Sequence, residues 1–272
     1  FMLGEYEDSV RLGFIGQERA EGAEGLNIHC LNWAGASLFH LGEWDRVLEA
    51  FREAVAAMGG RADDPPYFMM NLFGAAAFVH EARGLEGADR LLTILRDSRG
   101  FVHGGRVLAS NWLAWAVARR GEHERAWELI DESAVESMTM RPFQDQVAAE
   151  LFALTARWDE VPAFLGDARA YAKAAELLAL PVHLDRLEGQ HALAAGDAER
   201  ALELLEGARR GFATLQAEWE RARTELDLAD LLIAVDRTEE ARSMLDAATH
   251  DLQRAGAVLE LERLGSLRTR LS

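Results

Sequence analysis

The feature that most constrains this chain is a motif that returns along it. Residues 1–14 read FMLGEYEDSVRLGF and residues 39–51 read FHLGEWDRVLEAF. Phe1, Leu3, Gly4 and Glu5 match Phe39, Leu41, Gly42 and Glu43 at an offset of 38 (39 minus 1). Tyr6 and Trp44 are both aromatic, and Glu7 and Asp45 are both acidic. Related punctuation recurs near Gly84, Gly121, Trp158, Gly196 and Asp236, at steps of about 36–42 residues. Apolar residues at i, i+3, i+4 and i+7 precede and follow each mark, so each mark separates two helices. Glycine at the first helix's end supplies a left-handed cap. The acidic or Thr residue after it suits the positive end of the next helix. A single such hairpin cannot bury both faces, but stacked hairpins can.

These marks predict an all-α fold of about six and a half helix–turn–helix units. A partial unit covers 1–22, and units follow at about 26–60, 65–98, 103–137, 142–179, 181–215 and 217–255. Residues 257–271 form a capping helix with Glu260, Glu262, Arg263, Arg268 and Arg270 on its polar side. No linker divides the chain; 61–66 and 98–105 read as loops between units. Phe1 stands where an initiator Met would be, which reads as the cut end of a longer protein.

The units resemble the tetratricopeptide repeat over essentially the whole chain. The small residue midway in the first helix reads Gly35, Gly74, Ala114, Ala149, Gly189 and Ala229. The first small position of the second helix reads Val47, Ala88, Ala126, Val161, Ala201 and Ala241; the later one reads Ala54, Leu95, Ser133, Ala168, Ala208 and Ala248. Three departures stand out: a period longer than the family's, a closing Pro that is mostly absent, and no Gly in the fourth turn. The longer period looks like the arrays of large bacterial regulators, among them LuxR-family activators of the maltose-regulator type and ATPase-linked adenylyl cyclases. Glu220-Arg221-Ala222-Arg223, Leu228-Ala229, Leu231-Leu232, Glu240-Ala241-Arg242, Leu245 and Ala255-Gly256-Ala257 carry that likeness. The resemblance implies a right-handed superhelical solenoid serving as a sensor or scaffold, with first helices lining a concave groove.

Composition narrows the partners. A formal charge of −17 and a pI near 4.9 argue against gripping nucleic acid or an anionic membrane. Cys30 stands alone, excluding an intrachain disulfide and fitting a cytoplasmic setting. Lys173 is the sole Lys and follows no glycine loop, so there is no P-loop. The longest apolar run, Tyr67 to Val79, is too short to span a bilayer. The eight His spell no metal motif, and no nucleophile sits at readable spacing from a base. The sequence therefore predicts a chain that is no enzyme and holds no cofactor or metal, with catalysis within the array as the remote alternative.

One set rises above this background. By the resemblance, the position three residues before the mid-helix small residue faces the groove. It reads Asn32, Asn71, Asn111, Gln146, Arg186 and Leu226, with amides in four successive units. Asn is a poor mid-helix residue, and an amide both donates and accepts. Neighbouring groove positions include His29, Phe68, His183 and Arg223, then Trp115, Glu150 and Gln190; farther along lie Phe39, His40 and Arg119. Two alternatives stay open. The set grips a peptide, a partner segment or a small effector, or it is packing, with amides pairing between helices and aromatics stacked in the core. A third possibility is a homodimer through exposed array ends.

Overall fold

A computed structural model describes residues 4–20, 23–60, 62–98, 103–133 and 140–271. Phe1 and Leu3 of the first motif, 99–102 of the glycine-rich loop and 134–137 of the third unit lie outside the described residues. Among the described residues the chain is all-helical, with fourteen α-helices and no strand. They are α1 (Tyr6–Arg19), α2 (Glu24–His40), α3 (Trp44–Ala57), α4 (Met70–Ala82), α5 (Ala88–Asp97), α6 (His103–Arg119) and α7 (His123–Ser133). Then come α8 (Arg141–Thr155), α9 (Val161–Ala174), α10 (Ala179–Ala194), α11 (Ala198–Thr214), α12 (Glu218–Ala234), α13 (Thr238–Ala255) and α14 (Val258–Arg270). None is long and apolar enough to cross a membrane.

Neighbouring helices pack in pairs, and α2, α4, α6, α8 and α10 also touch in succession. Helices α2, α4, α6, α8 and α12 are the most buried. In α4 every residue except His80 and Glu81 is buried, as expected of a helix apolar on all sides. By contrast, α3, α5 and α7 bury one stripe. Local chemistry sets the ends. Gly42 turns the chain at φ 73° after α2, a conformation that costs glycine no steric strain. Asp197 caps α11 by accepting from the Arg200 N–H at 3.0 Å. Pro142 and Pro162 stand in the first turns of α8 and α9, where a missing N–H costs nothing.

Glycine also sets one helix separation. A Cβ on Gly74 would lie 2.2 Å from Cγ of Trp112, so α4 and α6 approach closely there. Around that contact sits an aromatic core of Phe39, Trp44, Phe78, Trp112, Trp115 and Trp219. Phe78 lies 4.7 Å from Trp115 and Phe39 lies 4.9 Å from Trp112, centroid to centroid, within the range of favourable ring pairs. Trp219 belongs to α12 and Phe39 to α2, so early and late helices share this core. Further links repeat the closure. Arg83 Nε donates to the Ala255 carbonyl at 2.6 Å. Gly4 packs against Ala179, and the Tyr6 ring stacks on His40 at 4.7 Å.

Candidate functional site

The first-helix polar set divides into three environments. Asn32, Asn71 and Asn111 are buried among helices. Asn32 Oδ1 accepts from the backbone N–H groups of Asn71 (2.9 Å) and Leu72 (3.1 Å). Those donors belong to the first turn of α4, which lacks a side-chain cap of its own, so Asn32 satisfies them from the preceding unit. Asn71 Oδ1 accepts from the Trp112 indole at 3.2 Å. Neither amide atom of Asn111 has a hydrogen-bond partner. Trp115 and Phe39 lie inside the aromatic core. Phe68 is half-buried, and His29 is exposed and accepts from Trp33 Nε1 at 3.2 Å. The structure thus gives Asn32 and Asn71 bonds between helices and places Trp115 and Phe39 in packing, not along an open wall.

A second environment lies deeper. His40 of α2, His183 of α10 and Glu220 of α12 meet in the interior with Tyr6 stacked 4.7 Å from His40. His40 Nδ1 lies 2.6 Å from Glu220 Oε1. Desolvation pushes the His183 imidazole down to about 3, with nearby Glu150 opposing the shift. Burial, and then the Glu220 carboxylate, raises the Tyr6 phenol well above its ordinary value. Among the described residues, His40, His183 and Glu220 are the group able to hold a metal ion.

The third environment is open to solvent. A cleft of about 430 Å³ lies among α6, α8, α10, α12 and α14. It holds Arg119, Glu150, Arg186, Gln190, Arg223, Asp227, Glu260 and Arg263, with Leu154, Trp158, Leu193 and Leu259 as apolar wall. Its charges are crosslinked. Arg186 joins Glu150 at 2.9 Å and Asp227 at 2.8 Å. Arg223 pairs with Glu150 and reaches Glu260 at 3.7 Å. Arg119 grips Glu260 through two bonds of 2.6 and 2.9 Å. Arg263 and Gln190 both donate to Asp227. Burial works to raise the Glu150 carboxyl, but Arg223 and Arg186 hold it down at about 2. Asp227 and Glu260 are also held below their ordinary values against burial, by Arg186 and Arg119 respectively.

Four guanidiniums face three carboxylates, so the cleft carries 4 − 3 = +1 in a chain of −17. Arg223 Nη1 and Arg119 Nε are buried donors without a partner. Those two donors are closed off from solvent, but the Arg263 guanidinium is partly exposed beside the apolar wall, which matches an anionic head on an apolar body. It unites Arg119, Arg186, Glu150, Gln190 and Arg223, all groove positions in the sequence. Asp227, Glu260, Arg263 and Trp158 were not legible as members. Their signal was weak: α14 reads as a polar cap, and carboxylates abound in a chain this acidic, so none stands out. Compared with known proteins, the chain matches no protein-family model and no curated relative.

Proposed function

We propose that this chain is a non-catalytic binding module: a right-handed, tetratricopeptide-like array of about six and a half hairpins and a capping helix. Its cleft takes the anionic end of a protein or peptide segment or of a small effector. The surplus positive charge at the cleft, set in a strongly acidic chain, carries this reading. In the parent protein the module would act as the sensor or scaffold of a bacterial signalling or transcription regulator. Five helices contribute walls, so a ligand there would bias how neighbouring hairpins lean on one another.

The test is a calorimetric screen of small mono- and dicarboxylic acids and of peptides ending in a free carboxylate. Arg263→Glu and Leu259→Asp change two partly exposed wall residues of α14. A hit should weaken at least about tenfold in both variants, a loss near 1.4 kcal/mol. Absence of any hit, or a hit indifferent to both changes, overturns the reading. Self-association is the second reading, favoured by the exposure of Leu12 and Leu26 on adjoining helices α1 and α2. It expects a mass above one chain in sedimentation, reduced to one chain by Leu12→Glu.

A further inference from the structure

We propose that His40, His183 and Glu220 form a binding site for a divalent transition-metal ion of the zinc type, which ties α2, α10 and α12 together. The three residues are 143 and 37 positions apart in sequence (183 − 40 and 220 − 183), and only folding unites them. Each offers one donor atom, and those atoms lie within 4.8 Å of one another. A tetrahedral zinc ion holds N and O donors about 3.3 Å apart, given bonds near 2.0–2.1 Å. The proposed site closes the difference by side-chain rotation when the ion binds.

The second observation is what these groups lack. His183 is 3% exposed, and both its ring nitrogens are buried without a hydrogen-bond partner. Oε2 of Glu220, a fully buried residue, also has none. Neutral imidazole carries one donor and one acceptor, and buried polar atoms in folded proteins are almost always satisfied. Two imidazoles and a carboxylate suit zinc and its neighbours, not calcium or magnesium. The surroundings tolerate the charge. Arg186 and Arg223, the cations that act on His183, are already matched by Glu150, Asp227 and Glu260. Tyr6 stacks over His40 and closes the site on the α1 side. Burial on this scale means that metal uptake couples to folding, as it does wherever ligands come together only in the native state.

The chain is produced without a histidine tag, stripped with chelator, and titrated with Co²⁺ and Zn²⁺. The expected result is one ion per chain, a visible Co²⁺ ligand-field band, and a thermal midpoint that rises with metal and falls back with chelator. X-ray absorption at the zinc edge of wild-type protein should count two imidazoles and oxygen ligands, a readout that needs no variant to fold. His183→Gln and Glu220→Gln should each lose the ion, while His29→Gln, an exposed control, should keep it. Failure of wild-type protein to bind either metal overturns the proposal. So does full binding by His183→Gln, a zinc edge without two imidazoles, or a crystal structure of zinc-treated protein with water between the rings.

Discussion

Ala156 follows α8 at φ 53°, where an L-residue's Cβ crowds the next carbonyl at a cost of about 1–2 kcal/mol. Glycine fills the corresponding turn at Gly42, Gly84, Gly121 and Gly196. Ala156 is exposed, so replacing it touches no packing. Ala156→Gly should stabilise the fold by about 1 kcal/mol and raise the thermal midpoint by roughly 2–4 °C; an unchanged or lower midpoint would mean that strain is absent there. Glu225 poses a different single-residue question. Burial first, against the opposing pull of Arg221 and Arg209, raises its carboxyl from 4.5 to about 7. Between pH 4.5 and 7 the native state therefore binds more protons than the unfolded chain, and this group's contribution to stability falls as pH rises through that window. Glu225→Gln removes the cost. Urea melts should show the variant about 2 kcal/mol more stable than wild type at pH 8 and nearly equal to it at pH 4.5. Taking the difference between the two proteins also cancels His183, whose depressed value makes its own contribution fall as pH drops from 6.5 towards 3.

Among helices, the amide row separates packing from recognition. Asn71 accepts from the indole of fully buried Trp112, so Asn71→Ala leaves that N–H without a partner. The expected loss is about 1–3 kcal/mol by chemical denaturation, whereas a residue reserved for a ligand would cost stability little. Turn glycines and the close Gly74 contact were legible in the sequence because each is set within a hairpin or between adjoining hairpins, and the spacing repeats. Helix order was legible for the same reason. The role of Asn32 was not, because capping a neighbour's first turn leaves no mark distinct from facing a groove. The charge network was less legible still. Arg119 and Glu260 lie 141 positions apart, as Arg223 and Glu150 lie 73, and a charge on a helix reads as solvated until its burial is known. Arg263 looked like the polar side of a cap; it bonds Asp227 in a cleft wall.

Across the molecule, these long links bear on how the fold comes apart. In an open array each unit touches only its neighbours, and unfolding can proceed from an end. Here α2 contacts α12, Arg83 of the α4–α5 turn bonds Ala255 at the end of α13, and Arg119 of α6 grips Glu260 of α14. The rings of α2, α3, α4, α6 and α12 share one core. Such closure should make melting cooperative across the chain, with far-ultraviolet circular dichroism and tryptophan fluorescence tracing one curve. Gly74→Ala probes this directly. Alanine is the better helix former by about 1 kcal/mol, yet its Cβ would meet the buried Trp112 ring at 2.2 Å. Overpacking of this kind costs about 1–3 kcal/mol, and the Trp112 ring is fully buried. The variant should therefore be destabilised, and native-state hydrogen exchange should report the same loss of protection in α12 to α14 as in α4 and α6. If α12 to α14 keep wild-type protection while α4 and α6 loosen, the early and late helices are energetically independent. The shared aromatic core would then be contact without coupling.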